Sequence, residues 1–243
     1  MEPVIRNFRN VFNVNGPTRL IWLADNPPTC TLNYSQIQPG KLSTPHTHPW
    51  EHEVFVMYGN GTLVVEGVRY PVKPGDAILV PPGVDHYTVN DGDKGVIRRI
   101  EANPVVAARD PSAATKKSRE SVDGAARPVS EHQKPLIRNC RESRTATAGR
   151  RLIASKDGAP NFEMLFDELA PGRSTQAHSH PWEHLSYMLE GHCGLFCGGK
   201  EYLVSEGDGI LLPANVEHQW RNPSALPVSR LTFDPVVPEG PGG

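Results

Sequence analysis

Short runs rich in β-branched and aromatic residues recur along the chain, punctuated by 24 prolines and 22 glycines. Thr62-Leu63-Val64-Val65-Glu66 stops at Gly67, Ala77-Ile78-Leu79-Val80 sits between Gly75 and Pro81, and Phe162 to Leu169 runs up to Pro171-Gly172. Apolar runs of this length, closed by turn residues, read as strands. Many of them in succession predict an all-β sandwich or barrel.

The pattern then repeats. A displacement of 132 residues lays Ile5-Arg6-Asn7 on Ile137-Arg138-Asn139, Arg19-Leu20-Ile21 on Arg151-Leu152-Ile153, and Pro39-Gly40 on Pro171-Gly172. Between 46–90 and 178–222 no gap is needed, and 19 of 45 positions are identical. The chain therefore reads as a duplicated domain. The first unit is 1–106, the second 137–243, and 107–136 is a linker. Within the linker Asp110-Pro111 has the form of an N-cap and first helical position, with Gly124 as the stop. The mixed run Lys116-Lys117-Ser118-Arg119-Glu120 predicts a solvated face rather than a binding patch.

Composition narrows the class of partner. With 243 residues, 37% hydrophobic and 21% charged, the chain has the make-up of an ordinary soluble protein. A formal net charge of -2 and a pI near 6.6 give no electrostatic reason to expect nucleic acid or a membrane surface. A small molecule is the default partner, and a homodimer is compatible with this reading. The start, Met1 to Arg6, lacks a basic segment followed by an apolar core, so no signal peptide is expected and the location is taken as cytoplasmic. Cys30, Cys140, Cys193 and Cys197 show no paired spacing and are expected to be reduced, structural residues.

The candidate chemistry lies in histidine. Of ten histidines, eight occupy matched positions: His46, His48, His52 and His86, then His178, His180, His184 and His218. A single histidine is usually a satisfied core residue, which suffices for His132 and His192. Two matching clusters of four point instead to metal ligation. On a strand, residues two apart share a face, so His46 and His48 can look into one cavity. His52 has the same parity and Glu51 the opposite, which favours His52 as third ligand. His86 would come from a separate strand after the Pro81-Pro82-Gly83 turn.

At these residues the chain resembles the cupin superfamily. The first cupin motif, G-x5-H-x-H-x3,4-E-x6-G, is met by Gly40, His46, His48 and Gly59, and again by Gly172, His178, His180 and Gly191. The second, G-x5-P-x-G-x2-H-x3-N, is met by Gly75, Pro81, Gly83, His86 and Asn90. Its second copy has Gly207, Pro213, His218 and Asn222, with Asn215 for the glycine, a mild change because asparagine tolerates a left-handed backbone. The resemblance implies a bicupin: two tandem jelly-roll (double-stranded β-helix) barrels, each with a metal inside. Where many cupins place a metal-binding glutamate this chain has His52 and His184, as in four-histidine manganese cupins with an H-x-H-P-W-E-H motif and zinc-holding polyketide cyclases. Glu51 and Glu183 are left as partners of a ligand imidazole or as ligands themselves.

Four neutral imidazoles leave about two octahedral positions open and the +2 charge uncompensated, which favours an anionic or enolisable guest. Two divalent transition metals per chain are expected, Mn or Fe first, with Zn, Ni or Cu also compatible with imidazole. Candidate lining pairs are Tyr34 with Phe166, Phe55 with Tyr187 and Met57 with Leu189, for all of which core packing is the competing role. Trp50 and Trp182 are expected to brace the ligand loops. Arg19/Arg151 and Arg98/Arg230 are paired at the same displacement and could reach an anion or form ion pairs. Three functions are weighed. The first is an O2-dependent oxidation or dioxygenase-like C–C cleavage. The second is a non-redox, metal-assisted cyclase or isomerase, and the third a non-catalytic metal- or small-molecule-binding cupin.

Overall fold

The computed structural model describes residues 2–14, 16–92, 95–116, 129–142 and 150–237. The first half supplies β1 (Val4–Asn7), β2 (Thr18–Ile21), β3 (Cys30–Ile37), β4 (His46–Thr47), β5 (His52–Tyr58), β6 (Gly61–Val65), β7 (Val68–Val72), β8 (Asp76–Val80), β9 (His86–Val89) and β10 (Ile97–Pro104). After β11 (Thr115–Lys116), the second half supplies β12 (Leu136–Asn139), β13 (Arg150–Ile153), β14 (Phe162–Leu169), β15 (His184–Glu190), β16 (His192–Cys197), β17 (Lys200–Ser205), β18 (Asp208–Leu212), β19 (His218–Arg221) and β20 (Val228–Pro235). The fold is the all-β one expected, with two short helices, Phe8–Val11 and Val105–Arg109. No helix among the described residues is long and apolar enough to cross a membrane.

Each half closes two sheets around a core. In the first barrel the order β12-β8-β5-β10-β3-β2 packs on β11-β4-β9-β6-β7, with Ile37, Val54, Val56, Leu63, Ile78 and Val80 between them. In the second, β1-β18-β15-β20-β14-β13 packs on β17-β16-β19 around Met188, Leu195, Ile210 and Trp220. Local turn chemistry fits. Glu66 and Gly67 both take positive φ, as a two-residue hairpin between Val65 and Val68 requires, and Gly198-Gly199 does the same in the second copy. Asn215 adopts φ 61° where its counterpart Gly83 has φ 77°, so the left-handed position is kept.

The repeated Ile-Arg-Asn segments prove to be exchanged strands. β1 pairs with β18 of the second barrel, and β12 pairs with β8 of the first, at equivalent registers (Val4 opposite Leu211, Leu136 opposite Leu79). Asn7 Nδ2 donates to Asp208 Oδ1 at 2.7 Å, and Asn139 Nδ2 to Asp76 Oδ1 at 2.7 Å. The exchange straddles a third apolar core that joins the barrels, where Leu20, Ile21, Leu152, Ile153, Phe162 and Leu231 are all fully buried. At roughly 1.5–3 kcal/mol for each such side chain, this core makes the halves one folding partnership. Deleting residues 1–7 is expected to strip hydrogen-exchange protection from β18 while β8, still covered by β12, keeps its own. Exchange read by mass spectrometry checks this.

The described part of the connector is mostly exposed, with no buried residue. The helix expected from Asp110-Pro111 is a single 3-10 turn, Pro111–Ala113, because Ala114 turns extended and Thr115–Lys116 pairs with the edge of β4. Gly124 and Lys117–Glu120 lie outside the described residues.

Candidate metal centres

In the first barrel, β4 brings His46, the following turn His48, the start of β5 His52, and β9 His86, which is the ladder partner of His46. One nitrogen from each of the four lies within 4.8 Å of the others, a spacing that could hold a metal ion. The group His178, His180, His184 and His218 does the same in the second barrel, with His178 bridged to His218. All eight histidines singled out in the sequence are thus brought together, four and four.

The ring orientations are fixed from behind. His46 Nδ1 bonds the Thr44 carbonyl at 2.7 Å, His48 Nδ1 that of Trp50 at 2.7 Å, and His86 Nδ1 that of Val84 at 3.0 Å. Their repeat mates use Gln176 (2.9 Å), Trp182 (2.8 Å) and Val216 (2.9 Å). A carbonyl can only accept, so each Nδ1 carries the proton and each Nε2 presents a lone pair inward. Trp50 stacks on His48 at 4.8 Å and Trp182 on His180 at 4.3 Å, the bracing role expected of them.

Three of these lone pairs, on Nε2 of His48, His86 and His218, are buried without a protein partner among the described residues. In the second barrel His180 Nε2 faces His184 Nε2 at 2.6 Å, while His184 Nδ1 is engaged by the Asp234 carboxylate. Two imidazole nitrogens at that separation need a shared proton or must part to ligate one ion, and the nitrogens of all four rings lie within 4.8 Å of one another, a donor set that fits a metal. Burial lowers the pKa of His48 to about 4, of His86 to about 3 and of His218 to about 4, and lowers His52 and His180 as well, keeping the imidazoles neutral.

That depression carries a sign. Between the folded values and the unfolded value near 6.5 the unfolded chain binds more protons, so stability falls as pH falls. Metal-free protein is expected to hold a constant melting temperature above about pH 6.5 and to lose stability steadily toward pH 4. Thermal melts across that range check it.

The surroundings of the two groups differ. The first opens into a cavity of about 770 Å³, lined by Trp22, Asn33, Val54, Ile78, Arg99 and Glu101 among others, with connector residues Ala107, Ala108, Pro111, Ala114 and Lys116 at its wall. There His48, His52 and His86 are buried; in the second barrel His178 is exposed and only His218 is buried. The lining candidates taken from the repeat mostly fall elsewhere. Phe55, Tyr187, Met57, Phe166 and Leu189 face the core between the barrels, because the odd positions of β5 and their mates in β15 point out of the barrel, as does Phe166 in β14. Tyr34 belongs to that core and also touches the cavity. Glu51 is fully buried but points to the other barrel, accepting from Asn161 N at 3.2 Å and Asn161 Nδ2 at 2.7 Å. Glu183 is buried too, its Oε1 without a partner among the described residues, and neither glutamate joins a histidine group there.

The arginine pairing needs correction. Arg99 lies opposite Ser35, and Arg230 opposite Asp167, the repeat mate of Ser35. Arg99, not Arg98, is therefore the equivalent of Arg230. The loop from Asn90 to Ile97 is one residue longer than that from Asn222 to Val228, which reduces the displacement to 131 in the last strand. Pro104 and Pro235 carried that signal. Arg98 is exposed against the Tyr58 ring, Arg19 lies over Trp22, and Arg151 pairs with Glu163 at 2.7 Å, so these serve the surface. Buried Arg99 instead donates to Thr88 Oγ1 at 2.7 Å, Ser35 Oγ at 3.3 Å and Glu101 Oε1 at 2.5 Å. Glu101 Oε2 stands 3.8 Å from His52 Nε2. Arg230 pairs with Asp167 at 3.0 Å and covers the Trp220 ring. Arg99, Glu101 and Asp234 are the site residues that the histidine motifs did not reveal.

A duplicated β-barrel with a histidine group inside each copy is the architecture of a bicupin. The chain belongs to the cupin domain family, whose signature matches residues 33–98 and 165–233, more than half of the chain. No curated protein sequence matches it. Among solved structures it is similar to the salicylate 1,2-dioxygenase of Pseudaminobacter salicylatoxidans, with TM-score 0.74 and 16% identity over 96% of this chain and 84% of that one. A variant of the dioxygenase in complex with gentisate gives TM-score 0.74 at 15% identity, over 96% and 82%. A variant of Bacillus subtilis oxalate decarboxylase gives 0.72 at 14%, over 95% and 76%.

Proposed function

We propose that the protein is a metal-dependent enzyme acting on a small anionic molecule in the cavity of the first barrel, by O2-dependent oxidation or C–C cleavage. The observation that carries this reading is the buried four-histidine group at one end of that cavity, beside the Arg99–Glu101 pair. His46, His48, His52 and His86 would hold iron or manganese, which supplies Lewis acidity and redox chemistry toward dioxygen when bound. The chain's own residues supply position and dryness. Val54, Leu63, Ile78 and Val80 exclude water from the histidine end. Arg99 has five N–H donors and gives three to Ser35, Thr88 and Glu101, so two remain for a substrate carboxylate or enolate. Support for an anionic aromatic guest comes from the similar structures, one of which holds gentisate.

Oxygen uptake by iron- or manganese-loaded protein with hydroxybenzoates and β-diketones tests the proposal. No uptake with any of them would sink it. A second reading is favoured by Glu101, whose free oxygen beside His52 is placed to accept a substrate proton. It is a metal-assisted enolisation, isomerisation or cyclisation without dioxygen, and full anaerobic turnover with zinc would select it.

A further inference from the structure

We propose that the two centres hold metal with unequal affinity, the second barrel's more tightly, and that Asp234 is the positioning residue that sets the difference. The inference rests on reading both histidine groups as metal centres.

Three of the four histidines in each group are anchored in the same way. The carbonyls of Thr44 and Gln176, Trp50 and Trp182, and Val84 and Val216 occupy equivalent places behind the rings. Their effects on ligand basicity cancel between the barrels.

The fourth histidine does not cancel. His184 Nδ1 bonds the carboxylate of Asp234, but Nδ1 of its mate His52 is buried with no partner among the described residues. The ladders identify what stands in place of Asp234. Asp234 lies opposite Glu163 in β14, and Asn103 lies opposite Thr31, the repeat mate of Glu163. An uncharged amide thus replaces the carboxylate in the first barrel.

The neighbouring charges leave that difference standing. Arg99 is balanced by Glu101 in the first barrel, and Arg230 by Asp167 in the second. Acid and hydroxyl have exchanged strands, Glu101 with Ser35 against Thr232 with Asp167, but each set is neutral. Glu51 and Glu183 occur in both copies, and Glu163 is paired with Arg151. Glu53, found only in the first, is fully buried on the face of β5 opposite to His52 and does not join the histidine group. His184 therefore has a carboxylate on its Nδ1 where His52 has none, and the carboxylate nearest to His52, that of Glu101, stands on the Nε2 side and is paired with Arg99. A carboxylate behind a ligating imidazole orients the ring and raises its basicity, and removing one typically costs about 10–100-fold in metal affinity.

Zinc titration against a competing chelator at neutral pH tests this, with His86→Ala isolating the second centre and His218→Ala the first. The second centre is expected to bind more tightly. Asp234→Asn in the His86→Ala background should weaken it by about 10–100-fold, whereas Asn103→Asp in the His218→Ala background should tighten the first. The latter gain could not come from misfolding. Equal affinities in the two isolated centres, or no response to Asp234→Asn, would overturn the inference. Failure of the unaltered chain to bind zinc at all would remove instead the reading of the histidines as metal centres.

Discussion

A His52→Ala protein is expected to bind one equivalent of metal where the unaltered chain binds two, and to lose turnover in the first barrel by on the order of 10³-fold. The residue closes one side of the ligand group from β5, and no other imidazole of the first barrel can take its place. Its neighbour gives the control. Glu51→Ala should keep both metals but lower stability by about 1–3 kcal/mol, because the Asn161 donors that the carboxylate accepts are left without a partner at the interface of the barrels. Elemental analysis and chemical denaturation of the two variants separate the effects. Metal loss from Glu51→Ala with retention in His52→Ala would show that the ligand register is the opposite one.

The parity argument pointed to His52 over Glu51, and the structure puts His52 in the histidine group while Glu51 turns toward the other half. A bend at Pro49-Trp50 separates β4 from β5, so the shared parity is not that of one continuous strand. Duplication, all-β architecture and the membership of both histidine groups were likewise legible, since each rests on spacing that the chain prints directly. What the spacing could not carry was partnership across distance. Ile5-Arg6-Asn7 was visible as a repeat, but nothing local says that it pairs with β18 rather than with its own β8. A strand's edge hydrogen bonds are satisfied equally well by either copy, and only the packed core between the barrels decides.

The buried arginines were illegible for a second reason. A gap-free displacement of 132 paired Arg98 with Arg230, whereas the one-residue difference in the preceding loop moves every residue of β10 to the other face of that alignment. In a strand such a slip exchanges inside for outside. Arg98 is accordingly exposed and Arg99 buried. Asp234 escaped notice because its partner His184 lies 50 residues earlier, and its repeat mate is an uncharged Asn103.

Arg99→Met is expected to be among the most damaging single substitutions in the first barrel, costing about 3–5 kcal/mol, because it strands the Glu101 carboxylate in a buried setting. Arg99 and Glu101 are each less than a tenth exposed, so solvent does little to screen the pair. Hydrophobic replacement of both partners behaves differently, since the desolvation cost of the charges disappears along with their attraction. The Arg99→Met/Glu101→Met double variant should return to within about 1–2 kcal/mol of the original stability, the histidine group being untouched. Its ligand binding should not recover. With the guanidinium gone, the guest loses the donors that Arg99 would offer its carboxylate and keeps only the metal, and affinity of the metal-loaded protein for salicylate should fall by at least about tenfold, equivalent to about 1.4 kcal/mol. Urea denaturation and calorimetric titration on the single and double variants give both readouts. A double variant that regains stability and still binds salicylate as before would show that the pair neither meets the guest nor adds net stability to the barrel.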